Sequence, residues 1–384
     1  MQSRRLIFFI LTCLFILCIL AFPTAALQGA QDGLSAFLFS VLPALLPFFA
    51  GTSMLVRCGG AHWIARALQP VMRPLFGLGG VSALPFVMSA ISGYPNGARI
   101  TSELYQQGLL STSQAERTLA LSSTAGPSFI LSAVCAGMLG YPEAGPLLLA
   151  CHLLSAVLTC QSARLLTPYQ PPGKQILRPS GTDEPLARIF VESIRDSAQA
   201  LWGVGAFILF FCTLSEVLST CGVLPFLARL LAIPLQAAGF SAALAPGLIA
   251  GCLELTTGCS ILSTADVPLA QLLPFLAFLF SFGGACIIAQ NYLFASQCRL
   301  RLSRLILYKA IQGLWAFVLC SVALPFFTPR ATPTFGAVPA HFSGILASQM
   351  LLFLIGTGVL LLLGLGMIIF THHWKKRLKQ KSHA

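Results

Sequence analysis

Charge is what this sequence has least of. Its 384 residues include 11 carboxylates and 23 lysines and arginines, 9% in all, against 56% hydrophobic residues. A soluble domain carries roughly a quarter charged residues, so the ordinary water-soluble fold is excluded. Histidine is also scarce. Of His62, His152, His341, His372, His373 and His383, five fall at predicted edges, loops or the tail, and no Gly-rich phosphate loop or Ser-His-Asp arrangement accompanies them. Nothing supports catalysis, and the chain is read as a non-enzyme. His152, inside an apolar run, reads as a packing or hydrogen-bonding residue. The 13 cysteines occur without any C-x-x-C pair or His-rich spacing. They read as small apolar packing residues, with no metal site and no cofactor expected.

The formal charge of +12 raises nucleic acid as a partner, but the basic residues sit at the ends of apolar runs and not in aromatic-interleaved patches. Membrane topology explains them better. The mean hydropathy is +0.84, and apolar runs long enough to cross a bilayer recur along the chain. Spans are expected over 6–27, 34–56, 118–139, 146–165, 201–221, 269–290, 305–327 and 350–371. The fold class is therefore an all-α polytopic membrane protein with about eight crossings and the lipid bilayer as partner. The run Leu6 to Leu27 ends near Pro23-Thr24-Ala25-Ala26, which resembles a cleavage region. It is longer than a typical signal h-region, so residues 1–29 are expected to stay as an anchor.

Two stretches break this pattern. Ser92-Gly93-Tyr94-Pro95-Asn96-Gly97-Ala98-Arg99 follows the apolar run Val81 to Ile91, and Gly251-Cys252-Leu253-Glu254-Leu255-Thr256-Thr257-Gly258 follows Ala242 to Ala250. An interrupted helix frees backbone groups that hydrocarbon cannot satisfy but a lined cavity can, so paired interruptions point to a binding site. Both are read as re-entrant helical hairpins, each preceded by an amphipathic piece, His62 to Phe76 and Leu224 to Ala237. Pro85 to Gly97 lies on Pro246 to Gly258 without a gap, and the small-residue breaks Leu121-Ser122-Ser123-Thr124-Ala125-Gly126-Pro127 and Leu279-Phe280-Ser281-Phe282-Gly283-Gly284-Ala285 answer each other. With three crossings and one hairpin in each unit, the repeats are inverted. The organisation expected is an anchor (1–29), a first repeat (30–166), a Pro-rich cytoplasmic linker (167–188), a second repeat (189–327), and a last span with a basic tail (328–384). If the hairpins enter and leave on one side, Arg57, Arg66, Arg73, Arg99, Arg117, Arg164, Arg299, Arg301, Arg304 and Lys309 all face the cytoplasm, as do both termini.

Glu254 stands out chemically. An ionisable carboxyl in an apolar segment is expensive without a purpose, so it is a candidate substrate contact and coupling site for a proton or cation; its alternative role is to cap the backbone at the break. Thr256 and Thr257 add hydroxyls. Glu216 lies near a span end and either acts in the membrane or reaches the interface. In the first hairpin Asn96 and Tyr94 offer polar contacts while Gly93 and Gly97 shape the break, although a Pro-Asn-Gly turn is needed there in any case. Ser123, Thr124 and Ser281, with Ser122, Gln290 and Asn291, complete a polar midplane. Serine and threonine in membrane helices also often bond only to their own backbone.

The run Ser92 to Arg99, followed by Glu103-Leu104, Gly108-Leu109, Glu116-Arg117 and Gly126-Pro127-Ser128-Phe129, resembles the YlbJ-type sporulation integral membrane proteins. Gly251 to Gly258 and Ser281 to Gly284 with Gln290 agree, and the resemblance covers roughly residues 30 to 327. It implies a nucleoside-recognition or Gate domain, similar to concentrative nucleoside transporters, with homo-oligomerisation by analogy. It also implies a small-molecule substrate, dipicolinate, exported from the mother cell across the outer forespore membrane. A nucleoside carrier and a non-transporting scaffold of the spore envelope stand as alternatives. Glu254 would repel a dianion unless protonated or neutralised by a cation.

Overall fold

In lipid each backbone polar group must find its partner within the protein, which leaves the helix as the unit of this chain. The computed structural model describes residues 2–166 and 185–326, and every regular element among them is helical. The chain starts with α1 (Gln2–Ala21) and α2 (Pro23–Ala36), which meet at Phe22 with φ −127° and ψ 61°. Proline lacks an N–H and opens helices readily, so Pro23 begins a new one. After a π-helical stretch, Phe37–Val41, α3 (Leu42–Arg57) continues the same rod, which is 35 residues long from Pro23 to Arg57.

The amphipathic α4 (Gly60–Phe76) turns through 94° into a 3-10 turn and α5 (Ala83–Ser92), and α6 (Asn96–Gln106) follows the first interruption. A capping box between Ser111 and Gln114 opens α7 (Thr112–Ser122). A π-helical stretch over Phe129–Met138 leads to α8 (Ala144–Leu166). The second half runs α9 (Leu186–Thr220), α10 (Val223–Ala237), α11 (Ala245–Leu253), α12 (Leu255–Ser263), α13 (Leu269–Phe282), α14 (Gly284–Ala295) and α15 (Leu302–Ala323). In both halves an amphipathic helix, a 3-10 turn and two short helices precede a span broken at small residues.

Five helices are long and apolar enough to cross a membrane: Pro23–Arg57, Ala144–Arg164, Leu186–Thr220, Leu269–Cys298 and Leu302–Phe326; the bent pair Trp63–Phe76 and Gly80–Ser92 makes up to six. Three of the eight expected spans are not among them. The run 6–27 is divided at Phe22, which leaves an apolar helix of 17 residues, Arg5–Ala21. The run 118–139 is divided between α7 and the π-helical stretch. The run 350–371 lies outside the described residues, as does most of the expected linker.

Association of helices in lipid depends on close packing more than on apolar burial. The rod α2 lies along α9, and a Cβ on Gly29 would stand 2.8 Å from the Cys212 carbonyl oxygen, while one on Gly33 would stand 3.0 Å from Leu209 Cα. Two glycines four residues apart thus set this helix spacing. Arg57 then ties α3 to α9 through Glu192 at 3.0 Å and Asp196 at 2.5 Å. The core is built where α8, α13 and α15 meet α11 and α12, around Leu148, Leu262, Leu276, Leu279 and Phe280. Large apolar side chains such as Phe8, Trp202, Phe226 and Ile233 remain on the outside, as a bilayer requires.

Three positive charges assigned to the cytoplasmic edge are instead buried: Arg99, Arg117 and Lys309 are each 4% exposed or less. Each meets acceptors inside the protein. Arg117 donates to the carbonyls of Phe76 and Gly77, where α4 ends, so it satisfies a helix C-terminus. Arg99 donates to the Phe49 carbonyl at 2.7 Å and to Thr52 at 3.1 Å, pairs with Glu103 at 3.1 Å, and lies over the Phe49 ring.

Candidate functional site

The two interruptions fold back sharply. In the second, a Cβ on Gly258 would fall 2.1 Å from Gly251 Cα, and one on Gly247 would fall 3.0 Å from the Leu262 backbone nitrogen. These pairs are symmetric about Glu254 and Leu255, so α11 and α12 lie antiparallel against each other. In the first, Gly93 has φ +87°, and Asn96 Nδ2 donates to Ser92 Oγ at 2.9 Å across the turn. A Cβ on Gly97 would lie 2.0 Å from the Ser122 carbonyl oxygen.

Within each half, the interruption touches the broken span. A Cβ on Gly93 would lie 2.6 Å from Gly126 N, and one on Gly284, at φ +71°, would lie 2.5 Å from Gly251 O. Backbone approaches this close admit no side chain, which is the use of glycine here. Each half thereby brings its own two interruptions together.

Polar side chains then join the halves. His152 on α8 is fully buried; its Nε2 lies 2.8 Å from the Ala125 amide, and its Nδ1 lies 2.7 Å from Ser281 Oγ. A backbone N–H can only donate, so Nε2 accepts and Nδ1 carries the proton toward Ser281. Ser155 is 3.3 Å from the same hydroxyl. Thr124 meets Ser89 through both its hydroxyl, at 2.8 Å, and its amide, at 3.2 Å. Ser123 is the centre of the joint: Asn291 Nδ2 donates to its hydroxyl at 2.9 Å, and Lys309 Nζ donates to its carbonyl at 2.9 Å. Lys309 also donates to Gln312 Oε1 at 2.8 Å and stands 5.7 Å from the centre of the Tyr94 ring.

Of the residues singled out from sequence, Gly93, Tyr94, Ser123, Thr124 and Ser281 are brought together here. Gly97 packs behind them. Asn96 is fully buried and bonds within the turn, with only a 3.5 Å contact to Thr52 outside it. Glu254 caps α12: Oε1 accepts from Thr256 N at 3.1 Å, and Oε2 accepts from Thr257 N at 2.7 Å and Thr257 Oγ1 at 2.9 Å. This is the capping alternative, realised with a charged acceptor at a helix N-terminus. The Thr256 side chain is exposed on the outside and Ser122 bonds its own helix at Thr118 O. Gln290 reaches Cys286 Sγ at 3.2 Å.

His152, Ser89, Lys309 and Gln312 were not among the expected site residues. The signal for the last two is present in the sequence. Lys309, Gln312, Gly313, Ala316 and Cys320 fall on one buried face of α15, and two long polar side chains on an otherwise small-residue face mark an interior polar site.

Known proteins agree with the motif reading. Residues 38–142 match the nucleoside recognition (Gate) family model, a segment that includes α4 to α7, the first interruption and Ser123. The chain is also 29% identical over 317 residues, 78% of this chain and 78% of the relative, to the sporulation integral membrane protein YlbJ of Bacillus subtilis (strain 168). No solved structure matches it. Residues 38–142 are thus similar to the nucleoside-recognition Gate family, and the chain is similar over most of its length to a sporulation integral membrane protein, as the Ser92 to Arg99 motif implies.

Proposed function

We propose that this chain is a secondary carrier that moves a small anionic metabolite across a bacterial cell membrane, with the polar joint around Ser123 as its substrate site. The observation that carries the proposal is the convergence of four helix interruptions on a buried set of hydroxyl, amide and imidazole groups. Interrupted helices meeting at a polar site within the membrane are how many carriers hold substrate. The two hairpins enter and leave on one side, the halves are inverted repeats, and both termini are cytoplasmic. The proposed substrate is dipicolinate, as the motif's resemblance implies, carried from the mother cell through the outer forespore membrane. Glu254 serves as the coupling site, taking up a proton or cation as α12 loosens.

The family description favours a second reading, a nucleoside carrier. Both are tested by uptake of labelled dipicolinate into proteoliposomes that hold the purified protein, with uridine as competitor. Saturable uptake unaffected by uridine is expected. Competition by uridine moves the assignment to nucleosides, and a correctly inserted protein that moves neither compound is a scaffold.

A further inference from the structure

Lys309 stands out because no carboxylate among the described residues pairs with it. It lies well inside α15 and is 1% exposed. Its amine donates to a backbone carbonyl and to an amide oxygen and faces an aromatic ring, and all three are neutral. Among the described residues no carboxylate forms an ion pair with it. The carboxylates that reach neighbouring elements are committed elsewhere. Glu116 is held by Arg304 and the Tyr308 hydroxyl, and Glu254 by the N-terminus of its own helix. Ser123 follows the last residue of α7, so the helix end offers the ammonium roughly half an elementary charge. That is a partial charge only; charged groups inside membrane proteins pair with one another or with backbone carbonyls, and of these Lys309 has just the carbonyl.

Three more groups point to what supplies it. Tyr94 Oη, Gln312 Nε2 and Asn291 Oδ1 are buried and have no hydrogen-bond partner. Gln312 and Asn291 are each 1% exposed, and their other amide atoms hold Lys309 and Ser123. The unpartnered atoms therefore belong to side chains that touch the ammonium or the Ser123 it is bonded to. An ammonium, an amide N–H and a phenol O–H are three donors with affinity for one kind of group, an oxyanion. The Asn291 oxygen adds a single acceptor beside them.

We infer that Lys309 is the residue that holds the negatively charged oxygen group of the transported molecule, with Gln312 and Tyr94 donating beside it. This rests on the carrier function proposed above and moves the anion contact away from Glu254. The cap occupies the α12 N-terminus with a carboxylate already, whereas α15 supplies a buried amine that no described carboxylate pairs with.

The test is uptake by proteoliposomes of wild type, Lys309→Gln, Lys309→Arg and Gln312→Leu. Labelled dipicolinate is the probe, and isophthalate, inorganic phosphate, neutral pyridine-2,6-dicarboxamide and uridine are competitors. The wild type should prefer the carboxylates to the diamide at least tenfold. Lys309→Gln should lose that preference and Lys309→Arg should keep part of it. Gln312→Leu should raise the half-saturating dipicolinate concentration at least threefold, which gives a reading even if the lysine variants fail to insert. Competition by phosphate but not isophthalate keeps Lys309 as the anion contact and changes the oxyanion it serves. Dipicolinate uptake that is equal in wild type and Lys309→Gln overturns the assignment while the carrier stands. Dipicolinate uptake that uridine blocks and neither isophthalate nor phosphate blocks overturns it too, and a wild type that takes up no dipicolinate removes carrier and contact together.

Discussion

Glu254 separates a structural task from a transport task, and its geometry says how. Glu254→Ala deletes a carboxylate that is 7% exposed and accepts two backbone N–H bonds and one hydroxyl bond at the start of α12. Loss of an N-cap in a solvated helix costs about 0.5–2 kcal/mol, and where the orphaned donors are buried the same loss costs about 1–3 kcal/mol for each. The Thr257 hydroxyl can turn elsewhere, so the two orphaned N–H groups set the cost at about 2–6 kcal/mol. Asparagine is among the best N-caps and carries no charge, so Glu254→Asn should return to within about 1 kcal/mol of wild type. Unfolding in mixed micelles, followed by near-ultraviolet circular dichroism, measures both. If Glu254 also couples transport, Glu254→Asn keeps the fold but loses uptake driven by an ion or proton gradient. Full gradient-driven uptake in Glu254→Asn leaves the cap as its whole function. Equal stability of Glu254→Ala and wild type refutes the cap itself.

Other positions give independent checks. Gly29→Leu places a side chain where a Cβ already meets the Cys212 carbonyl at 2.8 Å, so α2 must move off α9 at a cost of about 1–3 kcal/mol, and a cysteine cross-link between the two helices should slow in that variant. Arg117→Gln removes donors from the carbonyls that end α4; a loss of about 2–4 kcal/mol is expected, and unchanged micellar unfolding would contradict the buried placement of this arginine. Nitrogen-15 spectra of histidine-labelled protein should show His152 protonated at Nδ1 and bare at Nε2, because the Ala125 amide can only donate. A proton found at Nε2 would break the assigned link between the two broken spans.

The interruptions were legible because their chemistry is local. Gly93, Pro95 and Glu254 interrupt apolar runs, and the chain breaks at these places, with α5 ending at Ser92 and α11 at Leu253; Gly251 lies inside α11. The pairing of small-residue breaks across the halves was legible for the same reason. Partners were not legible, since they depend on which helices meet. Ser281 bonds His152, 129 residues away, and no spacing in the chain announces it. Lys309 was misplaced for a different reason. Counting basic residues near span ends treats the first turns of a helix as its edge, whereas Lys309 is seven residues beyond Leu302, about 10 Å along α15. Arg99 and Arg117 were miscounted likewise, because a charge serving a helix end inside the protein has the same sequence signature as one at the membrane surface.

The two kinds of contact between the halves differ in what they fix. Apolar packing of α8 against α13 and α15, through Leu148, Leu276, Ala316 and their neighbours, is non-directional, so it tolerates a slide of one helix past another. Hydrogen bonds do not, since they weaken steeply with angle. His152 to Ser281 and Lys309 to Ser123 therefore set the register of the halves. These are also the contacts that a polar substrate or water can replace, because each ends on a group able to bond either. Glycine contacts such as Gly93 on Gly126 and Gly284 on Gly251 have no such substitute. A carrier built this way would keep each interruption fixed to the broken span of its own half and exchange only the polar links between halves. Substrate that binds at Ser123 would then loosen links that help hold the register, which couples occupancy to movement.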